Sequence, residues 1–283
     1  MTTLVFSLVL FAAFTHALWN FFSKKVSGNF TIFWYGSVIA NSTLTIYTIC
    51  MFITKEIHFA GWSLIITSAI AHALYYITML YTYSKSDISS VYPITRGTGV
   101  IGTAILSYFL LKEVISPVAA FGIIAVCIGI VLITFSKTKN QKNNMKAYFF
   151  AILSGVFIFM YAVADKVAVQ EMNPIIYINI VDIIALTPLA GMANRNGVSE
   201  SIKLVKKNLK ETLIIGFGSI GTYVIILNAM RLDKRASYVF SAREFSIVIA
   251  SVMGFMFLKE KPTLLKIIGI ACITTGLIMI KMG

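Results

Sequence analysis

The stretch YFLLKEVISPVAAFGIIAVCIGIVLI, residues 108–133, returns near the C-terminus as GFMFLKEKPTLLKIIGIACITTGLIMI, residues 254–280. Each writes an apolar run, a Leu-Lys-Glu, and a second apolar run with matching glycines. An ungapped offset of 147 residues sets Ser90 on Ser237, Arg96 on Arg243, Leu111-Lys112-Glu113 on Leu258-Lys259-Glu260, Gly122-Ile123 on Gly269-Ile270, Gly129 on Gly276 and Ile133 on Ile280. Apolar stretches match by chance; an arginine, a Lys-Glu and two glycines seven apart do so rarely. The chain therefore reads as two related halves, residues 1–136 and 147–283, joined by the polar KTKNQKNNMK at 137–146.

Composition says what the halves are made of. Of 283 residues, 58% are hydrophobic and only 12% charged, and the mean hydropathy is +0.85. Soluble domains hold apolar residues near half and charges near a quarter. The apolar residues collect into ten runs, near 3–23, 30–53, 61–83, 88–111, 116–136, 147–166, 174–193, 212–230, 236–258 and 263–282. Each approaches the ~20 residues that a helix needs to cross ~30 Å of hydrocarbon. Tyr and Trp sit near many run ends, where rings meet headgroups, and glycines inside the runs suit close helix packing in lipid. A β-barrel would need alternating segments of about ten residues. The first run lacks the basic start and short apolar region of a cleavable signal peptide. Cys50, Cys127 and Cys272 lie in apolar runs without metal or disulfide spacing and read as small core residues.

Five crossings per half is an odd number, so the second half enters the membrane upside down. The expected fold is an all-α integral membrane protein of ten transmembrane helices in two inverted five-helix repeats. Secondary transporters are built this way, with the site near the midplane between repeats that rock to alternate access.

The five-plus-five plan, the Lys-Glu closing the fourth and ninth runs, the following glycine-spaced helix, and HALWNFFSKK at 16–25 together resemble the EamA group of the drug/metabolite transporter superfamily. The resemblance spans nearly the whole chain. It implies export of amino acids or other small metabolites and cytoplasmic termini. The family's usual Glu-Arg pair reads Glu113-Val114 and Glu260-Lys261 here, so only the second half keeps the charge.

Ionisable groups at bilayer depth cost at least ~2.5 to 3.5 kcal/mol on insertion scales and must face a cavity or a partner. On the first helix, His16, Trp19, Asn20 and Ser23 share one face at helical spacing, and on the third His72, Tyr75, Tyr76 and Met79 do the same. Such groups serve either as interhelical hydrogen-bond glue or as a shared cavity lining. On the fourth, Tyr92, Arg96, Gly99 and Thr103 align, with Pro93 expected to kink the backbone. Arg96 and its repeat mate Arg243 either pair with a carboxylate, Glu244 or Asp182, or fork onto a substrate carboxylate. Arg243, beside Glu244, is expected to pair; Arg96 is expected to take the substrate. Asp182, mid-run in the seventh helix, is a candidate proton carrier or a counter-ion for Arg96. Asp165 and Lys166, near a helix end, are expected to snorkel.

The excess of 24 basic over 11 acidic residues gives a formal charge of +13, but it lies in short loops, so anionic lipid rather than nucleic acid is the expected partner. Residues 199–211 read as an amphipathic surface helix. Loops after the odd-numbered helices are the more basic, which by the positive-inside rule places both termini outside, against the family resemblance. The reading that emerges is a secondary transporter, an exporter of a small metabolite such as an amino acid or related carboxylate, in a cell membrane of the bacterial inner-membrane kind, as monomer or homodimer. Its substrate-binding residues are His16, Trp19, Asn20, His72, Tyr75, Tyr76, Tyr92, Arg96, Tyr161 and Tyr223, with Asp182, Arg243 and Glu244 as coupling or ion-pair groups, and its driving force is expected to be either a proton gradient or the substrate's own gradient. No cofactor or metal is expected. The rivals are an intramembrane enzyme, which would need an HExxH, GxSxG or Cys/His cluster that the sequence lacks, and a channel, which would repeat a selective segment about an axis.

Overall fold

A computed structural model describes residues 1–54, 58–86, 88–135, 145–257 and 262–283. The helices are α1 (Thr3–Lys25), α2 (Phe30–Thr54), α3 (Trp62–Lys85), α4 (Ile88–Leu110), α5 (Pro117–Phe135), α6 (Met145–Glu171), α7 (Pro174–Leu186), α8 (Ala190–Ala193), α9 (Val198–Lys207), α10 (Leu209–Leu232), α11 (Ala236–Arg243), α12 (Phe245–Phe257) and α13 (Leu264–Met282). A 3₁₀ turn at Thr187–Leu189 joins α7 to α8. No strand occurs among the described residues.

Nine spans among the described residues are long and apolar enough to cross a membrane, counting α7 through α8 as one and α11 with α12 as another. The remaining expected run is α4, 23 residues of helix whose polar Tyr92, Pro93 and Arg96 thin its hydropathy. Pro93 is carried inside that helix. A break in helix falls at Glu244, between α11 and α12, where the Glu244 N–H turns back to Ser241 O at 3.2 Å. Two expectations shift. The surface helix expected over 199–211 is divided: α9 stops at Asn208, whose side-chain amide bonds back to Leu204 O at 2.9 Å, and α10 starts at the next residue. The expected linker 137–146 lies outside the described residues up to 144, and α6 already begins at Met145. The second Lys-Glu, with Leu258 and Lys261, also lies outside them, as does the side chain of Ser90.

The offset of 147 that aligns the sequence carries α3 onto α10 and α5 onto α13 end for end. The packing follows it. The contact of α3 with α6 is matched by that of α10 with α1, and α4 with α6 by α11 and α12 with α1. The tightest seam joins α5 to α13, where glycines on one helix meet backbone of the other. A Cβ at Gly122 would lie 2.7 Å from Gly276 O, and one at Gly276 2.6 Å from Gly122 O. Gly129 and Gly269 stand in the same reciprocal relation, at 2.6 and 2.8 Å. The earlier glycine of α5 meets the later one of α13, so the helices run antiparallel. Because lipid tails are as apolar as side chains, helix association in a bilayer rests on such close packing and on interhelical hydrogen bonds. The α2–α7 pair uses the latter: Asn179 Nδ2 donates to Asn41 Oδ1 at 2.9 Å, while Asn41 Nδ2 donates back to Asn179 O at 3.3 Å.

The first Leu-Lys-Glu caps α11. Lys112 takes a left-handed conformation, φ 53°, which ends α4 and lets the Glu113 N–H return to Ser107 O at 3.2 Å. The Glu113 carboxylate then accepts from the backbone N–H of Ser237, at 3.3 Å, and from its hydroxyl. Ser237 lies in the first turn of α11, where free N–H groups and the helix dipole favour an anion. Burial pushes the Glu113 carboxyl above its ordinary range, and the Ser237 bonds pull it partway back.

Candidate functional site

Helices α1, α2, α3, α6, α10 and α11 turn aromatic faces toward one another. His72 of α3 stacks on Tyr161 of α6, with ring centroids 4.0 Å apart, and meets Tyr223 of α10 edge-on at 5.5 Å. Tyr161 touches Tyr75 and, on α11, Phe240. Tyr75 leads to Tyr76, Tyr76 to Phe33 of α2, Phe33 to Trp19, and Trp19 to His16 of α1. Seven of the expected substrate-binding residues, His16, Trp19, His72, Tyr75, Tyr76, Tyr161 and Tyr223, thus belong to one continuous lining. His16, Trp19, Tyr75, Tyr76 and Tyr223 keep partial exposure. The Trp19 indole N–H is buried with no acceptor. Asn20 is turned aside: its amide donates to His16 O of its own helix at 2.7 Å.

Glu244 pairs with Arg96 and not with its neighbour Arg243. Arg96 donates from Nε to Glu244 Oε2 at 2.9 Å and from Nη2 to Glu244 Oε1, a bidentate pair whose members are 7% and 1% exposed. Tyr92 lies against this guanidinium, its ring centre 5.9 Å away, and so attends the ion pair. Glu244 was expected to serve Arg243, its neighbour. Consecutive helical residues project about 100° apart and do not face one another, and the break between α11 and α12 leaves Glu244 aimed at α4. Arg243, 4% exposed, lies over the Phe240 ring at 4.4 Å, and its buried Nε has no partner. Phe240 also meets Tyr161, so Arg243 stands beside the aromatic cluster.

Asp182 is not the counter-ion of Arg96. Buried on α7, it has no ion pair among the described residues and faces a cavity of about 290 Å³ between α2 and α7, lined also by Trp34, Asn41 and Thr45. Asp165 and Lys166 do not snorkel. Asp165 is fully buried and accepts from Ser68 Oγ at 2.5 Å, from the Tyr177 hydroxyl at 2.6 Å and from the Tyr223 hydroxyl. His72 joins this group through Ser68: its Nδ1 lies 3.0 Å from Ser68 O, a pure acceptor, so that nitrogen carries the proton. Lys166 donates to Met230 O and, at 2.5 Å, to Asp233 O, capping the last turn of α10. Both residues lie a full turn or more inside α6, which runs on to Glu171. The sequence signal for Ser68 was its place one turn before His72 on the same face; Tyr177, Phe33 and Phe240 carried none. No cluster of metal-ligating side chains occurs among the described residues.

A family model described as "Sugar transport protein" matches residues 7–283. No curated protein matches. Among solved structures, one crystal structure superposes with a TM-score of 0.77, covering 98% of this chain and 95% of its own at 13% identity, a likeness of fold.

Proposed function

The chain belongs to the sugar transport protein family, and from this premise we propose that it is a secondary transporter working by alternating access of two inverted halves, residues 1–136 and 147–283. A multi-pass membrane transporter, not an enzyme, is what membership establishes; it is a transporter of the EamA-like, drug/metabolite type. Repeat symmetry, substrate and direction are our reading. The offset that maps α3 onto α10 and α5 onto α13, and the antiparallel glycine seam, support the inverted repeats. The proposed substrate is a small polar metabolite: a sugar, as the family's name suggests, or an amino acid or related carboxylate, moved outward as in the exporters the sequence resembles. Protons are the proposed coupling ion, with Asp165 and Asp182 as the buried spanning carboxylates outside any described ion pair. The basic loops are proposed to lie against anionic lipid.

One observation carries the reading: the aromatic lining is assembled from α1 and α3 of the first half and α6, α10 and α11 of the second, where rocking would open it to either side. Rings and a few fixed polar groups are what small-metabolite sites are made of. Purified protein in liposomes, offered radiolabelled hexoses, amino acids and hydroxy acids, should show saturable uptake stimulated by substrate on the opposite side. Flux that never saturates and ignores trans substrate would make it a channel.

A further inference from the structure

We propose that Arg243 is the anion-binding residue of the transport site and that the substrate is a hydroxylated monocarboxylate. The inference rests on the transporter reading above and deepens it. The duplication left two arginines, Arg96 and Arg243, but one carboxylate between them. Glu244 reaches across to Arg96. The offset sets Gly97 opposite Glu244, so the repeat-related bond, from Arg243 to residue 97, has no side chain to form it. A Cβ built at Gly97 meets nothing within 4 Å. A side chain at position 97 would enter open space.

Nothing else neutralises Arg243 among the described residues. Asp165 is engaged by three hydroxyl donors, and Asp182 faces the separate cavity beside α2. A buried charge left uncompensated is strongly unfavourable, and here it sits against a ring whose face attracts cations without neutralising them. With the Arg243 Nε and the Trp19 indole N–H both lacking acceptors, the site has donors to spare and asks for a ligand rich in acceptor oxygens. A neutral sugar leaves the guanidinium charge unmet. An amino acid brings an ammonium for which Glu244 and Asp165, already committed, offer no free carboxylate. A hydroxylated acid without an amine meets both conditions, its carboxylate forked on Arg243 and its carbon face against the tyrosine rings.

The probes are D-gluconate, D-glucuronate and D-glycerate, against D-glucose and L-alanine, with affinities measured by calorimetry on purified protein. At least one acid should bind at least about tenfold more tightly than glucose and alanine, and Arg243→Gln should weaken that acid by about tenfold or more, the worth of a charged hydrogen bond. Arg243→Lys, which keeps charge but not the fork, should fall between. Gly97→Glu supplies the missing carboxylate in cis and should abolish acid binding while unfolding no more readily than wild type. The proposal is overturned if none of the acids binds, if Arg243→Gln binds them as wild type does, or if Gly97→Glu leaves binding intact. Counterflow of glucose or alanine without acid binding would sink this inference and spare the transporter; Arg243-dependent acid binding without counterflow of any compound would do the reverse.

Discussion

Glu244→Gln strikes the buried charge pair that ties α4 to the junction of α11 and α12. The substitution keeps size and one acceptor oxygen but removes the charge, leaving a guanidinium 7% exposed with a neutral partner. Breaking a buried pair from one side costs about 3 to 5 kcal/mol, because the surviving ion loses its compensation while remaining out of water. Arg96→Met abandons Glu244, 1% exposed, at a similar cost. Removing both charges, in Arg96→Met with Glu244→Leu, leaves no orphan ion, and such exchanges run from neutral to about 1 to 4 kcal/mol stabilising. The double variant should therefore be more stable than either single one, with a coupling of several kcal/mol where unconnected sites would add. Equilibrium unfolding in detergent of wild type, Arg96→Met, Glu244→Leu and the double variant, followed by tryptophan fluorescence, measures the cycle, with Glu244→Gln as the size-conserving single. Arg243→Met is the internal control: with no ion to abandon, it should cost far less than Arg96→Met although the offset equates the two positions. Additive single costs, or an Arg243→Met as damaging as Arg96→Met, would refute the reasoning.

Gly129→Val places a side chain where even a Cβ lies 2.6 Å from Gly269 O; it should destabilise by about 1 to 3 kcal/mol as overpacking does, and unfolding at the wild-type midpoint would show that the seam yields. Asp165→Asn leaves hydroxyls of Ser68, Tyr177 and Tyr223 facing an amide that can no longer accept from all of them; pH-gradient-driven accumulation in liposomes should vanish while counterflow persists, and a wild-type gradient response would remove Asp165 from coupling. Glu113 has its carboxyl raised by burial in the folded protein, so its stabilising share is present below the ordinary carboxyl value and is lost as pH rises through the raised one. Unfolding midpoints should climb on acidification from neutral pH, less steeply in Glu113→Gln; equal slopes would exclude this group.

Much of the architecture was legible because it is periodic. Apolar runs of bilayer length and an ungapped offset are one-dimensional signals, and the helices fall where the runs do. The faces holding His16 with Trp19 and His72 with Tyr75 and Tyr76 were equally readable, since helical spacing alone decides which residues share a side. What failed were pairings. Sequence adjacency suggested Glu244 for Arg243, whereas the partner is 148 residues away on α4. Asp165 and Lys166 passed for snorkelling residues because the run seemed to end there; their burial depends on α3, α7 and α10, which no local pattern announces. The division at Asn208 turned on a side-chain bond to Leu204 O, a local choice that composition cannot register.

In the inverted repeat proposed above, packing and chemistry make opposite demands on symmetry. At the seam of α5 with α13, each glycine meets the other helix's backbone just as its repeat mate does, because a close approach on an axis works equally from both sides. A transport site cannot follow that rule. Had both halves kept a carboxylate beside the arginine, each guanidinium would be neutralised within the protein and the centre would hold no charge for a substrate to meet. With Glu244 held by Arg96 and glycine at position 97, one arginine is paired within the protein and the other is, in the proposal above, left for the substrate. Positions where repeat-related residues part company, Glu244 and Gly97 above all, are therefore where function should be sought, whereas positions that remain alike report on how the halves are held together.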